Sequence, residues 1–346
     1  MRAPLLPLLG LLCACASPLP PKKSPASSSP VAWEKLWVQN GCSLYNFDRK
    51  LRTFPGDFCV FLDDGSFISA TEKSMRRYSP TLEIVWETPG HFHHQLNLTP
   101  DKKRLLALSG ILEKRKGKIF RDDELMILDL DGKILHRKKM LELFPSVSLS
   151  PVEWGGSPHI KALGADLETS HFNSIYEVPR NSYSGSIPWL RAGNIVVNGY
   201  AHGILFLSPN LSQVLKHVPY KGSVENALHD VQVTVDGRLL VFNNWVSGRE
   251  NRSSAVELFD PVQGTTETVF MTDPPEAFYS QACGGVQELG KLYFISHITA
   301  GAYLWSPEKK KVLSYVSGTR SDPRGIEPTQ QLKLVDAENF LKNVKD

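Results

Sequence analysis

One hairpin pattern recurs six times along the chain, and this repeat constrains the fold more than any other feature of the sequence. Each copy contains a short strand of alternating apolar and polar residues, a turn rich in Asp, Ser, Pro or Gly, and a second short strand, which is the pattern of a β-hairpin. Such a repeat favours an architecture in which successive units pack against one another. The six copies span residues 44–54, 75–86, 125–135, 204–215, 256–269 and 303–315.

A second hairpin pattern precedes five of the six copies, and its members begin at Asp57, His93, His171, His229 and Cys283. Two hairpins per unit, at a spacing of about 45 residues, predict the four-stranded blade of a β-propeller. The first copy has no such partner before it, and the C-terminal segment 329–343 supplies one. We therefore predict an all-β, six-bladed β-propeller in which the N- and C-terminal strands share the closing blade, because this closure removes exposed sheet edges.

A seven-bladed ring would need one more repeat within residues 146–170. That segment is rich in Pro, Gly and Ser, and we interpret it as a long loop. Loops of this length without secondary structure are usually functional or disordered.

The N-terminus has the pattern of an export signal, with Arg2 followed by a short apolar stretch and by Leu12-Cys13-Ala14-Cys15. The apolar stretch is too short for a transmembrane helix. A Cys directly after Leu-x-Ala resembles the lipobox of bacterial lipoproteins, with Cys15 as the lipidated residue, and a plain cleaved signal with incidental cysteines is the alternative. We predict a signal peptide over 1–14, a Pro/Ser-rich tether over 15–31 and the propeller over 32–346.

The expected location is the bacterial cell envelope, on the periplasmic side of the outer membrane. Ala16 and Ser17 follow Cys15 without the Asp that would retain a lipoprotein at the inner membrane. More than one acyl chain makes such anchoring stable. No later apolar run reaches the 18 or more residues that a spanning helix needs.

Composition excludes several function classes. The net charge is +3, and Lys and Arg are scattered rather than clustered, so nothing favours nucleic-acid binding. A Gly-rich phosphate loop, a Ser-centred nucleophile elbow and a Cys-x-x-Cys pair are all missing from the sequence. Of the three cysteines after the signal, Cys42 and Cys59 form the one plausible disulfide, and we expect buried free thiols instead.

Three successive repeats begin with histidine: His93-His94, His171 and His229. The first strand of each blade lines the central channel of a propeller, so side chains at equivalent places in neighbouring blades converge on the axis. A single strand histidine is usually a core residue, but three at matched repeat positions point to a shared site. We therefore predict one pocket on the ring axis that contains these imidazoles.

The motifs that carry these histidines also show a family resemblance. HHQLNLTPDKKRLLAL begins at His93, ETSHFNSIYEV at Glu168, NIVVNGYAHG at Asn194 and LHDVQVTVDGRLLVFNNW at Leu228. In this order, over residues 93–245, they resemble the bacterial arylsulfate sulfotransferase family. Members of that family are six-bladed periplasmic propellers that move a sulfuryl group from one phenol to another without a nucleotide donor.

The resemblance implies a ping-pong reaction with a sulfohistidine intermediate. His229 matches the family's nucleophile, while His94 (or His93) and His171 match residues that hold the sulfuryl oxygens or shuttle the phenol's proton. Neutral imidazole is a good nucleophile near pH 7, and covalent catalysis divides one hard step into two. Donors must stabilise the charge on the sulfuryl oxygens in the transition state, and Asn173 is a candidate donor.

The chain departs from the family at two places. Where the family has Ser-Ser-Arg, this chain has Asn198-Gly199-Tyr200, and Tyr200 cannot replace the permanent cation. His202 could supply part of that charge if it were protonated. Thr169 stands in place of a family aromatic. We therefore assign His93, Asn173, Tyr200 and His202 to substrate binding and expect slow turnover at best.

Two other function classes stay open at this stage. One is an inactive propeller that serves as a binding or scaffold protein at the membrane. The other is a metal-binding propeller, because three neutral imidazoles facing one point would suit zinc or copper. The sulfotransferase hypothesis requires a small phenol or aryl sulfate as substrate, no cofactor and no metal, and contact with the membrane through the lipid anchor alone.

Overall fold

The computed structural model describes residues 37–46, 49–115, 117–145, 164–199, 202–219, 228–244, 253–272, 278, 280, 284–297, 301–316, 332–335, 340 and 343. The signal, Cys15 and the tether therefore lie outside the described residues, as does Tyr200. None of the described helices is long and apolar enough to cross a membrane.

The described strands form six sheets, in which every pairing is antiparallel except one in the third sheet. The first contains β1 (Trp37–Asn40), β2 (Ser43–Asn46), β3 (Arg49–Thr53) and the last strand, β25 (Leu332–Val335). The second contains β4 (Phe58–Phe61), β5 (Phe67–Ala70), β6 (Ser74–Tyr78) and β7 (Ile84–Pro89). The third contains β8 (His91–Leu98), β9 (Arg104–Arg115), β10 (Lys118–Asp129) and β11 (Ile134–Lys139), followed by the short helix α1 (Met140–Leu143).

The remaining three sheets repeat the same order of four strands. The fourth contains β13 (Phe172–Glu177), β14 (Ile195–Gly199), β15 (Gly203–Leu207) and β16 (Val214–Val218). The fifth contains β17 (Leu228–Val233), β18 (Leu239–Asn243), β19 (Ala255–Asp260) and β20 (Thr265–Phe270). The sixth contains β21 (Gly285–Leu289), β22 (Leu292–His297), β23 (Gly301–Ser306) and β24 (Lys311–Val316).

One strand of each sheet packs against the corresponding strand of its neighbour. Strand β4 contacts β8, β8 contacts β13, β13 contacts β17, β17 contacts β21, and β21 contacts β25. These inner strands therefore surround a common axis, with the other strands of each sheet extending outward. The fold is an all-β propeller, as the sequence predicted. The six recurring hairpins form the third and fourth strands of the six sheets.

The first and last described strands pair with each other. Strand β1 runs antiparallel to β25, with Trp37 opposite Val335 and Asn40 opposite Leu332. A strand from the C-terminus thus completes the N-terminal sheet, as predicted for the 329–343 segment. Neither edge of β1 is left unpaired, which protects it from association with other strands.

Cys42 and Cys59 form a disulfide, so the expectation of buried free thiols was wrong. Cys42 lies in the turn between β1 and β2, and Cys59 lies on β4 of the next sheet. The packing of the first sheet against the second brings their Cα atoms to 4.9 Å, within the range that a disulfide requires. The Gln39 amide also donates to the Cys59 carbonyl across the same interface.

The third sheet differs from the others in two ways. Its strands β9 and β10 are 12 residues long, so their hairpin extends well beyond β8 and β11. A fifth strand, β12 (Leu167–Glu168), pairs parallel with β10 on that extension. The interpretation of 146–170 as a loop is therefore wrong for these two residues, while 146–163 lie outside the described residues.

Candidate functional site

The inner strands of the third, fourth and fifth sheets each contain an irregularity at the same end. The ladder is interrupted between Phe92 and Leu96 in β8, between Phe172 and Ser174 in β13, and between Leu228 and Asp230 in β17. Such bulges redirect side chains and are over-represented beside active sites. The residues at the three interruptions are His93, His94 and Gln95, then Asn173, then His229.

His94 occupies the left-handed region, with φ at 59°. This conformation is uncommon for residues other than Gly, although His adopts it more often than most. Conformational outliers of this kind concentrate at functional sites, where the surrounding structure maintains them. The position of the His94 ring thus depends on a backbone conformation that regular strand pairing would not produce.

The predicted imidazoles lie together. The ring centroid of His94 is 4.9 Å from those of His93 and His171, and 5.8 Å from that of His229. His94 and His171 are partly exposed, whereas His93 and His229 are buried. We call these four residues the histidine cluster. A single small ligand can contact several of its members.

The repeat positions of the cluster are not all equivalent, which corrects the sequence-based alignment. The bulges place His229 in register with Asn173, because Leu228 corresponds to Phe172 in the two ladders. His171 precedes β13 and comes from the end of the segment that carries β12. Sequence alone could not show this, since the spacing of the histidines says nothing about where a ladder is interrupted.

Two buried carboxylates contact the cluster. Glu168 Oε2 lies 2.8 Å from Nδ1 of His171, and Asp123 Oδ1 lies 3.0 Å from Nε2 of His93. Arg121 forms an ion pair with Glu168, and its Nη2 lies 3.9 Å from Asp123 Oδ1. Buried charges require such partners, because an uncompensated charge costs several kcal/mol. These three charged residues are functional candidates that the sequence reasoning missed.

The extension of β10 determines where His171 lies. The Thr169 amide donates to the Arg121 carbonyl at 2.9 Å, and the Phe172 amide donates to Asp123 Oδ2 at 2.8 Å. Between them, the hydroxyls of Thr169 and Ser170 donate to Asp122 Oδ1 at 3.0 and 3.1 Å. The segment before β13 is thus held along its length, and His171 is held with it.

Gly110 of β9 makes room for the Arg121 side chain. A Cβ atom at this position would lie 2.6 Å from Arg121 Nε, closer than non-bonded atoms approach. Any larger residue would displace the guanidinium group from its ion pair with Glu168. Gly110 therefore belongs to the support of the site although it carries no functional group.

Burial keeps His93, His94 and His229 neutral. Loss of hydration and the neighbouring His171 lower the pKa of His229 to about 3. The pKa of His94 is also well below its ordinary value, first through loss of hydration and then through His171 and the other imidazoles. Burial and Arg121 lower the pKa of His93, which Asp123 offsets in part. Near neutral pH these three rings carry no charge and each has one unprotonated nitrogen.

The acidic residues of β10 differ in their electrostatics. Burial opposes ionisation of Asp123, but His93, Arg121 and the Phe172 amide outweigh it and lower the pKa of that carboxyl. Burial and the adjacent Asp123 raise the pKa of Asp122 to about 6. Asp123 is therefore an anion at neutral pH, and its Oδ1 can accept a hydrogen bond from a protonated Nε2 of His93.

The remaining predicted residues take less central places. The Asn173 amide nitrogen donates to the Leu228 carbonyl at 2.9 Å, which uses one of its two hydrogens, while its buried Oδ1 has no partner among the described residues. The His202 ring stacks on Phe172, 6.2 Å away, and burial lowers its pKa. A lowered pKa disfavours the protonated His202 that could have replaced part of the missing positive charge. Tyr200 lies outside the described residues.

Within the described ranges, no group of three or more His, Cys, Asp or Glu side chains is arranged to hold a metal ion.

No family model matches the chain. No curated protein matches it either. Among solved structures it is similar to the WD40 domain of Pan2 from Neurospora crassa, with a TM-score of 0.44 and 10% identity over 81% of this chain and 75% of that one. This similarity is remote, and the fold assignment above depends on the strand pairing alone.

Proposed function

We propose that the histidine cluster transfers a sulfuryl group between phenolic compounds, with His229 as the nucleophile. The observation that carries this proposal is the contact among His94, His171 and His229 at the ring axis, with His171 held by Glu168. The resemblance of the sequence motifs to arylsulfate sulfotransferases supplies the reaction class. The lowered pKa of His229 keeps its ring unprotonated, which a nucleophile requires.

The reaction proceeds in two steps. A ring nitrogen of His229 forms a bond to sulfur while the bond between sulfur and the phenolic oxygen of the donor breaks, and the donor leaves as a phenolate, which takes a proton from an imidazole protonated in the preceding cycle or from water. The hydroxyl oxygen of the acceptor then forms a bond to sulfur, the bond to His229 breaks, and the acceptor's proton passes to an imidazole of the cluster. His94 and His171 flank the reacting group and are placed to exchange that proton.

The described residues of the site supply little free positive charge for the sulfuryl oxygens. Arg121 is a buried cation among them, and it is already paired with Glu168 and lies close to Asp123. Electrostatic stabilisation of developing charge is usually the largest catalytic contribution. We therefore expect slow turnover, and we expect that Tyr200→Arg, which restores the family's cation, raises the rate.

The decisive experiment is to incubate the purified full-length protein with a chromogenic aryl sulfate and a phenol acceptor. Sulfated phenol in the product and a sulfated His229 peptide in mass spectra are the expected results, with His229→Gln giving neither. An active protein in which His229→Gln still turns over would place the nucleophile elsewhere. A wild-type protein with neither product nor sulfohistidine would leave the scaffold or metal-binding functions.

We further propose that the six sheets are the six blades of one closed ring. The inner strands contact one another in sequence order, and the disulfide and the Gln39 hydrogen bond join the first sheet to the second. In a ring of this kind every inner strand has a neighbouring inner strand on each side.

We also propose that the protein is an acylated lipoprotein of the bacterial envelope, anchored through Cys15. The motif Leu12-Cys13-Ala14-Cys15 supports this proposal. The Cys42–Cys59 disulfide is consistent with it, because disulfides persist in exported compartments and are rare in the cytosol. Metabolic labelling with a fatty-acid probe should mark the wild-type protein, and equal labelling of Cys15→Ala would refute the assignment.

A further inference from the structure

We propose that Asp123 and His93 form a relay that fixes the tautomer of His94, so that His94 Nε2 accepts the proton of the substrate hydroxyl. The inference rests on the proposed function for the identity of the substrate, and on the contacts and charges of Asp123, His93 and His94 for the tautomer. It assigns His94 as the catalytic base and Asp123 and His93 as positioning residues.

Asp123 is the starting point, because its protonation state and orientation are both fixed. Its Oδ2 accepts the Phe172 amide at 2.8 Å, which leaves Oδ1 facing His93 Nε2 at 3.0 Å. The contact departs from ideal hydrogen-bond geometry, but both atoms are buried and neither has another hydrogen-bond partner in the described part of the chain. Since Asp123 is an anion, the proton of neutral His93 lies on Nε2.

The second link follows from the first. With its proton on Nε2, His93 presents an unprotonated Nδ1, and this atom lies 2.6 Å from Nδ1 of His94. Two nitrogens at this distance must share one proton, so His94 donates from its Nδ1. Neutral His94 then has its lone pair on Nε2. Each tautomer in this relay is determined by the hydrogen bond that the other ring nitrogen makes.

The backbone supports this arrangement independently. His94 adopts its left-handed conformation within the β8 interruption, which lets two consecutive histidines place their rings edge to face with centroids 4.9 Å apart. In a regular strand, consecutive side chains point to opposite faces of the sheet. The bulge thus serves to bring the His93 and His94 nitrogens into contact.

As a consequence, His94 is a base whose protonated form is stabilised by the Asp123 carboxylate. As the acceptor hydroxyl oxygen forms its bond to sulfur and the bond to His229 breaks, the hydroxyl proton passes to His94 Nε2. The positive charge on His94 is stabilised through His93 by the Asp123 carboxylate. In the next cycle His94 returns the proton to the departing phenolate, so the enzyme is restored. A neutral His94 of this tautomer cannot donate to sulfuryl oxygens from Nε2.

Asp123→Asn is the informative substitution, because it should invert the relay. The Phe172 amide needs an acceptor, so the Asn oxygen takes that side and the Asn nitrogen faces His93. His93 Nε2 then accepts, its Nδ1 carries the proton and donates to His94 Nδ1, and His94 Nε2 becomes protonated. Asp122→Asn is the matched control, since it is adjacent, buried and of the same charge but does not contact His93.

The test is ¹⁵N NMR of the full-length protein labelled at the histidine ring nitrogens, with His94 signals assigned by their loss in His94→Gln. In wild type and Asp122→Asn, His94 Nε2 should have the shift of an unprotonated nitrogen, and saturating phenol should perturb it. In Asp123→Asn it should have the shift of a protonated nitrogen, and sulfuryl transfer should fall roughly 10⁴-fold, the loss that an equivalent Asp→Asn change causes in a serine protease triad.

A protonated His94 Nε2 in wild type would overturn the proposal, and so would an unchanged tautomer in Asp123→Asn. Absence of any phenol effect on the wild-type His94 signal would overturn the assignment of the hydroxyl as its ligand. The wild-type spectrum decides the tautomer even if Asp123→Asn does not fold. These readings need no turnover, so the relay can stand if sulfuryl transfer fails, and sulfuryl transfer can stand if the relay fails.

Discussion

The two halves of the propeller, three sheets each, differ in how their inner strands pair. In the third, fourth and fifth sheets, β8, β13 and β17 each have an interrupted ladder, whereas in the others β4, β21 and β25 pair with their neighbours in regular register. The interrupted half carries the histidine cluster. The site is therefore formed where the strands depart locally from the repeat. The regularly paired sheets supply the stable fold in which these interruptions are tolerated.

The two halves are also stabilised differently. The regular half contains the disulfide and a cluster of aromatic rings. In this cluster the ring centroid of Phe54 lies 5.0–5.4 Å from those of Phe61, Phe67 and Phe340. The interrupted half buries Arg121, which is 3% exposed, with Glu168, which is 1% exposed. Burying an ion pair is often no more stabilising than apolar packing would be. Its presence here is better explained by placement of the histidines than by stability.

The largest expected effect is on activity and is confined to the interrupted half. His229→Ala should abolish sulfuryl transfer, and His171→Ala should lower the rate by roughly 10²–10⁴-fold, as for loss of a general acid or base. His136→Ala, on the outer strand β11, is the control and should retain full activity. Initial rates with an aryl sulfate donor measure this. Equal losses for His171→Ala and His136→Ala would remove His171 from the mechanism.

The next effect concerns closure of the regular half. Deleting the chain from Gln330 onward removes β25 and Phe340, and therefore exposes the edge of β1 and opens the aromatic cluster. We expect a loss of several kcal/mol in stability, with aggregation, because both an unpaired edge and lost core packing result. Deleting residues 344–346 alone is the control. An unchanged melting temperature for the longer deletion would show that the ring does not depend on the terminal pairing.

Local sequence patterns were sufficient to predict the hairpins and the terminal pairing. Alternation around a turn depends on neighbours in the chain, so copies such as 204–215 correspond directly to β15 and β16. The closing strand could be predicted because a repeat without its first hairpin requires strands from elsewhere.

The support of the site could not be predicted in the same way. Arg121 and Asp123 lie on the extension of β10, before the recurring hairpin of residues 125–135. Glu168 lies beside them because β12 pairs parallel with β10, and these two strands are distant in sequence. The run Arg-Asp-Asp-Glu at 121–124, directly before an apolar strand, was the available signal. The disulfide was misjudged for a similar reason, since its geometry depends on packing between sheets.

The disulfide should matter for stability and leave the site unaffected. Replacing both Cys42 and Cys59 by Ala should cost about 3 kcal/mol, the amount expected for a closed loop of roughly 15 residues. Denaturant unfolding measures the loss, and reducing agent should destabilise the wild type and have no effect on the double variant. Sulfuryl transfer by the folded double variant should match wild type. A parallel loss of activity would mean that the two halves are coupled.

The smallest effect is a pH dependence that arises in the interrupted half. Folding raises the pKa of Asp122 from 3.8 to about 6, mainly through burial and then through Asp123. A carboxyl with a raised pKa binds its proton more tightly in the folded protein, so its contribution favours the folded state below the unfolded pKa and is lost as pH rises through about 6.

Asp122→Asn removes this titration, and the stability of the variant relative to wild type should rise by roughly 1–3 kcal/mol between about pH 4 and 7. Denaturant unfolding across that range measures the difference, with Asp131→Asn, whose side chain is 92% exposed, controlling for net charge. Parallel curves for wild type and Asp122→Asn would mean that the folded protein carries an ionised Asp122 throughout, and that its hydrogen bonds to Thr169 and Ser170 fully offset its burial.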